Sequence, residues 1–338
     1  MSEVANAIVE VLLSSDLSGK TIFVYPHARL DGDCIGSALS LVAVLRKAGR
    51  CSCVMLEEPI PERLSFMDIP EDIYRIYSPE NHDNLASEQC IAVAVDCSEA
   101  GRMGSAGALY EVASVKVVID HHVSSGEAVG TRLVVPKAAA TAELILQVIR
   151  IIEARVNKSL LDEQIANFLM VGIQSDTGRF SYQNTTPDTL RAAADLLEAG
   201  ANLYLNAYHL FDLTSVERMR LIAKALSGAR MFYDGKMAMT AVTQEMIRDT
   251  NASDYSADGL VSSLRDIEGV VVSFVVRESK DGEVRVNIRS REPFDSAAFA
   301  EFFGGGGHHR AAGFTVRDSS VNEVCKSIIH QAVSFFSE

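Results

Sequence analysis

Residues 115–122 read Val115-Lys116-Val117-Val118-Ile119-Asp120-His121-His122, a β-branched run that ends on an acid and two imidazoles. Such a run has the composition of a strand buried on both faces, and strands of that kind belong to parallel sheets. The same texture recurs along the chain in Thr21-Ile22-Phe23-Val24-Tyr25, Cys53-Val54-Met55-Leu56 and Ile91-Ala92-Val93-Ala94-Val95. Helical spacing accompanies these runs: residues 34–48 carry Ile35, Leu39, Val42 and Leu45 on one face, and residues 138–154 and 160–172 repeat that period. Strands alternating with helices predict an α/β domain, a mainly parallel sheet with helices on both faces. In such sheets ligands sit beyond the carboxyl ends of the strands.

That rule picks out the chemistry. His27 follows the first strand and leads into Asp31-Gly32-Asp33, Asp96 closes the 91–95 run, and Asp120, His121 and His122 close the run quoted above. If the strands are parallel neighbours, all of these groups meet at one sheet edge. Several carboxylates gathered there repel one another unless a cation compensates. Carboxylate oxygens mixed with imidazole nitrogens, with Cys97 the one thiol at a strand end, suit Mn²⁺, Mg²⁺, Zn²⁺ or Co²⁺, with Mn²⁺ preferred. The ligand count exceeds what one ion needs. It points to two ions about 3.5–4 Å apart, the arrangement that grips a phosphoryl group and activates a water. Taken singly, each residue has a plainer reading: Asp31 and Asp33 as a turn and helix cap, His27 as a structural histidine, Asp120 as a loop cap. Recurrence at three strand ends favours function.

The bulk properties bound this reading. With 338 residues, 48% apolar and 22% charged, the chain is long enough for two domains. A net charge of -14 and a pI near 5.1 argue against coating long duplex DNA, while leaving room for a small anionic ligand in a local basic pocket. No basic segment followed by an apolar run opens the chain, and no apolar stretch reaches about 18 residues, so neither a signal peptide nor a membrane span is expected and the cytoplasm is the default. The six cysteines, Cys34, Cys51, Cys53, Cys90, Cys97 and Cys325, read as reduced packing thiols.

The second half has a different texture. Strands are expected at 237–242, 270–276 and 283–289, the last half exposed, and helices at 256–264, 295–303 and 321–335. Asp254 and Asp258, beside Tyr255, read as helix caps. Ahead of this half, Thr186-Pro187 signals a helix start, with helices expected at 187–200 and 216–227. The domain limits follow as 1–190, a helical linker 191–227, and 228–338. Arg289-Ser290-Arg291 is followed by Phe302-Phe303-Gly304-Gly305-Gly306-Gly307-His308-His309-Arg310. Consecutive glycines let a backbone approach a ligand and turn N–H groups toward an anion, and arginines add planar paired donors. A flexible linker is the plainer alternative, but apolar residues flank the run where a linker carries Ser or Pro. Arg289, Arg291, Gly305, Gly306, Gly307, His308 and Arg310 are therefore the expected substrate-binding residues.

The chain resembles the DHH phosphoesterases, named for the motif that stands here as Asp120-His121-His122. The first family motif resembles His27-Ala28-Arg29-Leu30-Asp31-Gly32-Asp33-Cys34-Ile35-Gly36-Ser37, the second is Asp96 after its strand, and the fourth is Asp176-Thr177-Gly178-Arg179-Phe180. Cys34 stands where Ala is commoner, a change of little consequence for ligation. Without the resemblance, Asp176 reads as part of a helix stop with Gly178 at the turn. Gly304 to Gly313 is similar to the signature of the DHH-associated C-terminal domain. The resemblance implies one metal held by His27, Asp31 and Asp96 and a second held by Asp33, Asp96, His121 and Asp176. Asp96 would bridge them, His122 would face the scissile phosphate, and Asp120 would orient an imidazole. It further implies a cleft between the two domains as the active site and a homodimer formed through the first domain. In size and motif order the chain is similar to the nanoRNase group, which degrades short oligoribonucleotides and dephosphorylates 3′-phosphoadenosine 5′-phosphate or cleaves pApA or cyclic di-AMP. Two alternatives are a non-catalytic nucleotide sensor and a single-strand exonuclease. A sensor commonly lacks a ligand that is present here, and an exonuclease wants a basic track with stacking aromatics, whereas this acidic chain has no Trp.

Overall fold

The computed structural model describes residues 2–82, 90–122, 130–253, 257 and 259–336. Contacts divide the chain into two compact units, Met1–Leu213 and Thr214–Glu338.

The first unit carries β1 Thr21–Tyr25, β2 Ser52–Leu56, β3 Tyr74–Ile76, β4 Cys90–Val95, β5 Val115–Asp120 and β6 Thr131–Val134. They form one sheet in the order β3-β2-β1-β4-β5-β6, parallel throughout. Its helices are α1 Ser2–Leu13, α2 Gly32–Lys47, α3 Pro79–His82, α4 Gly107–Val112, α5 Thr141–Val156, α6 Glu163–Thr177, α7 Pro187–Glu198 and α8 Leu203–Ala207. Alternate residues of each central strand serve opposite cores. Ile22, Val24, Ile91, Val93, Val117 and Ile119 pack with the interior faces of α1, α2, α5 and α6. Phe23, Tyr25, Ala92, Ala94 and Val118 pack on the other side with Met103, Leu109 and Tyr110. Both faces are covered, which is why these strands read as unbroken apolar runs. β3 and β6 escape such a reading because they are short edge strands carrying Arg75 and Arg132.

Two local features bring the helices to the strand ends. Asp31 caps α2, its side chain accepting from the Asp33 and Cys34 amides. α2 crosses α6 closely because Gly36 presents no side chain: a Cβ there would lie 2.2 Å from the Phe168 carbonyl oxygen.

The second unit contains α9 Val216–Ser227, β7 Arg230–Phe232, β8 Met237–Val242, α10 Gln244–Thr250, α11 Leu260–Arg265, β9 Val272–Glu278, β10 Val284–Ser290, α12 Ser296–Glu301, β11 Gly306–His308, β12 Ala311–Val316 and α13 Val321–Phe336. Its sheet runs β11-β12-β10-β9-β8-β7, with β8 and β9 parallel and the other pairs antiparallel. α9, which the sequence reading assigns to a linker, buries Leu221 and Ala225 among Ala238, Val242, Leu260 and Leu264 of this unit. Asp254, Tyr255, Ser256 and Asp258 lie outside the described residues. Among the described residues, no helix is long and apolar enough to cross a membrane.

Candidate metal centre at the strand ends

β1, β4 and β5 are adjacent and parallel, so His27 just beyond β1, Asp96 just beyond β4, and Asp120 with His121 and His122 at the end of β5 come together. Asp96 has φ 60°, a left-handed conformation uncommon for a residue with a side chain. Its amide nevertheless holds register with β5, donating to the Ile119 carbonyl at 3.0 Å. Strain of this kind persists where the surroundings over-determine a residue, as at functional sites.

The carboxylates are held individually. Asp31 Oδ1 accepts from the Asp33 amide at 3.1 Å and the Cys34 amide at 3.0 Å, while Oδ2 faces His27 Nε2 at 3.5 Å. Asp33, fully buried, accepts from the amides of Thr141 at 2.6 Å and Ala142 at 2.9 Å and from Ser37 Oγ at 3.3 Å. It thus sits on the positive end of α5. Asp96 is central: Oδ2 lies 3.4 Å from His27 Nε2, and Oδ1 lies 3.5 Å from His121 Nε2 and 3.6 Å from His122 Nδ1. Oδ1 also accepts from Thr141 Oγ1 at 2.7 Å. Asp176, in the last turn of α6, brings Oδ2 to 3.2 Å from His121 Nε2.

The orientation of His121 is diagnostic. Its Nδ1 lies 3.2 Å from the Ala138 carbonyl oxygen, which can only accept, so Nδ1 carries the hydrogen. Nε2 is buried and, among the described residues, has no hydrogen-bond partner, although carboxylates of Asp33, Asp96 and Asp176 face it at 3.2–3.9 Å. An unprotonated Nε2 confronting three anions is unfavourable; a proton on it, or a cation between them, removes the conflict. The protonation balance expresses the same demand. Burial opposes charge on His121, but contact with Asp176 and the fields of Asp33 and Asp96 outweigh it and push its pKa up to about 10. His27, also buried, is raised to about 9 by Asp31 and Asp96. Burial, reinforced by Asp96 and Asp176, lifts Asp33 well above the usual carboxylate range. Burial resists ionisation of Asp31 too, yet His27 and the Cys34 amide hold it down at about 2.

Among the described residues, three donor sets have ligand atoms within 4.8 Å of one another: His27, Asp31, Cys34 and Asp96; Asp96, His121 and His122; and Asp33, His121 and Asp176. These nitrogen and carboxylate donors fit divalent cations, and Asp96 is common to two sets. Sequence reasoning gave no role to Thr141, which supports Asp33 and Asp96 at once, nor to Cys34 as a neighbouring donor. Thr141 falls inside the helix expected at 138–154 and carries no signal of its own.

His122 is arranged differently. Its Nδ1 lies 2.8 Å from Asp120 Oδ1, and its own amide donates to that oxygen at 2.9 Å. Asp120, fully buried, accepts from Ser98 Oγ through its other oxygen at 2.6 Å. Burial works against ionised Asp120, but the His122 and Ser98 bonds prevail and lower its pKa. The pair fixes Nδ1–H toward Asp120 and leaves Nε2 pointing away from it.

In the second unit, Gly304 and Gly307 have positive φ of 71° and 147°, and a Cβ on Gly305 would lie 2.3 Å from the Gly313 carbonyl oxygen. Gly304 turns the chain out of α12 and Gly305 and Gly307 answer to the β11–β12 hairpin, whereas Gly306 is exposed, with open space around it and no positive φ. Arg289 Nη1 donates to the Ile288 carbonyl at 3.0 Å, Arg291 pairs with Asp266 at 3.3 Å, and His308 is exposed on β11. Arg310 donates to the Phe294 carbonyl at 2.7 Å and pairs with Glu292.

Comparison with known proteins agrees with this construction. The DHH family N-terminal domain matches residues 21–173 and the DHHA1 domain residues 234–334. The chain is 30% identical over 308 residues to the bifunctional oligoribonuclease and PAP phosphatase NrnA of Thermus thermophilus, covering 91% of this chain and 88% of that protein. It is 28% identical over 337 residues to the cyclic-di-AMP phosphodiesterase PdeA of Listeria monocytogenes, covering 96% of this chain and 49% of that protein. Its fold is shared with an exopolyphosphatase-related protein from Bacteroides fragilis, TM-score 0.88 at 22% identity, covering 100% and 98% of the two chains. With the family's domains matched in order and its histidines and aspartates gathered at one sheet edge, the chain belongs to the DHH family.

Proposed function

We propose that this chain is a hydrolase of phosphoester bonds acting on short oligoribonucleotides and on 3′-phosphoadenosine 5′-phosphate, pApA or cyclic di-AMP, with two divalent cations, Mn²⁺ foremost. The observation that carries the reading is His121 Nε2, a buried nitrogen without a hydrogen-bond partner among the described residues, facing the carboxylates of Asp33, Asp96 and Asp176. One ion is assigned to His27, Asp31 and Asp96 and the other to Asp33, Asp96, His121 and Asp176. Such ions, when bound, polarise phosphoryl oxygens and lower the pKa of a water. The names of the Thermus and Listeria relatives support nucleotide substrates.

The chain's own residues do the rest. Asp96 shares its two oxygens between the ligand sets and is steadied by Thr141. Asp33 keeps its place through two backbone amides rather than through mobile partners. His122, its Nδ1–H held by Asp120, directs Nε2 to the scissile phosphate, where it donates a hydrogen bond or proton to a phosphoryl or leaving oxygen. Arg289, Arg291, Gly305, Gly306, Gly307, His308 and Arg310 are assigned to the remote part of the substrate, and we place the enzyme in the cytoplasm as a homodimer. Hydrolysis of a labelled diribonucleotide, pApA and 3′-phosphoadenosine 5′-phosphate, with Mn²⁺ and with chelator, tests the reading. Metal-dependent release of mononucleotide is expected; turnover of none of the three with any divalent cation rejects it.

A further inference from the structure

Beside Asp31, within the first unit, lies a cavity of about 170 Å³ walled by Leu64, Leu210, Phe211, Ser175 and Arg63. We infer that this cavity is a nucleobase subsite, receiving the planar ring of a nucleotide whose phosphate lies at the metal centre. The inference rests on the proposed function for that centre. It adds a specificity determinant outside the glycine-rich hairpin, in a region to which no substrate contact has been assigned.

Size comes first. Pockets that enclose a whole drug-sized ligand hold roughly 300–1,000 Å³, so this one takes a fragment: a single heterocycle. Its position fits, because Asp31 both lines the cavity and faces His27 in the proposed first ligand set. A ring seated there adjoins Asp31, and with it the proposed site of the reacting phosphate.

The lining has the two chemistries a base requires, an apolar surface for its faces and hydrogen-bond donors for its edge. Leu64, Leu210 and Phe211 supply the first. Arg63 supplies the second: its Nη2 donates to the Leu30 carbonyl at 2.7 Å, which anchors the guanidinium and leaves its other N–H groups for acceptors on a base. Among the described residues no carboxylate pairs with Arg63. Other arginines of this acidic chain are tied to acids, among them Arg46, Arg155, Arg191 and Arg285.

The wall is also preformed. Residues 208–212 make one π-helical turn that turns Leu210 and Phe211 to the cavity, a distortion often found at functional sites. The Arg179 guanidinium, paired with Asp212 at 2.5 Å, stacks over the Phe211 ring at 4.8 Å from its centroid. The neighbouring His209 ring stacks on Phe66 at 4.7 Å, with 5° between planes. Little conformational freedom is lost when a ring enters.

Two measurements on the full chain test this, with Arg63→Gln, a surface change, and Phe211→Ala. In the first, kcat/KM with Mn²⁺ is compared for a diribonucleotide and for the same diester with one or the other base removed. The preference for the base-containing substrate is expected to fall about tenfold in each variant, as loss of one stacking or edge contact does. In the second, the affinity for 2-aminopurine ribonucleoside 5′-monophosphate is read from its fluorescence, independently of turnover. A weakening of about tenfold in both variants is expected. An unchanged preference ratio, or fluorescent-nucleotide binding that is absent from the wild type or equal in the variants, overturns the subsite. Binding that responds to both substitutions in a protein that hydrolyses nothing supports the subsite and rejects the catalytic reading instead.

Discussion

Two imidazoles adjacent in sequence differ in what their Nδ1 atoms touch. His121 spends Nδ1–H on the Ala138 carbonyl and offers Nε2 to three carboxylates, while His122 spends Nδ1–H on Asp120. Asp120→Asn retains the shape but can present an amide where His122 needs an acceptor. It is expected to lower kcat by about a hundredfold while leaving bound metal, measured by atomic absorption, unchanged; a loss of metal would make Asp120 a ligand instead. The same scale carries a pH prediction. In chelator-treated protein His27 and His121 are held protonated to about 9 and about 10, above the ordinary value of about 6.5 for an unfolded chain. A raised folded pKa contributes stability that is complete below the unfolded value and is lost as pH rises through the folded one. The raised Asp33 and Asp176 act in the same direction. The Tm of metal-free protein is therefore expected to fall between about pH 7 and pH 10, and Mn²⁺ to abolish that fall by replacing the protons. A flat profile after chelation would contradict the assignment.

At the scale of elements, glycines separate packing from binding. Gly36 lets α2 lie against α6, with the Phe168 carbonyl oxygen 2.2 Å from any added Cβ. Gly36→Ala is expected to cost about 1–3 kcal/mol in urea denaturation, as overpacking does. Gly306 has nothing within 4 Å of an added Cβ. Gly306→Ala should leave stability within about 0.5 kcal/mol of wild type, and a rise in KM for the diribonucleotide would then report a ligand contact. Unchanged KM would leave the hairpin's glycines with a purely architectural cause. Elements also differ in how plainly the sequence declares them. β1, β4 and β5 are readable almost to the residue because a doubly covered strand must be continuously apolar. β11 is not, since its Gly306-Gly307 half carries neither apolar alternation nor β-branched residues.

At the scale of the molecule, all six proposed ligands lie in Met1–Leu213, which has its own cores on both faces of its sheet. The segment 1–213 produced alone is expected to bind Mn²⁺ with affinity comparable to the full chain in calorimetry, and 214–338 to bind none. A folded 1–213 without metal binding would show that the second unit contributes a ligand.

The sequence by itself determined the fold class and most of the centre. Parallel strands force their ends to one edge, so residues directly after β1, β4 and β5 had to converge whatever the loops did. That reasoning reaches His27, Asp31, Asp33, Asp96, Asp120, His121 and His122. It does not reach Asp176, which stands on a helix and joins them only because α6 packs against α2 through glycines. Tertiary structure alone placed Thr141 on two carboxylates, set the Cys34 thiol among the donors, and gave the two histidines different Nδ1 partners. Each of these is a contact between segments far apart in the chain or a choice of hydrogen-bond partner. Hydrophobic periodicity fixes which elements form and which faces they bury, and it carries no information about either.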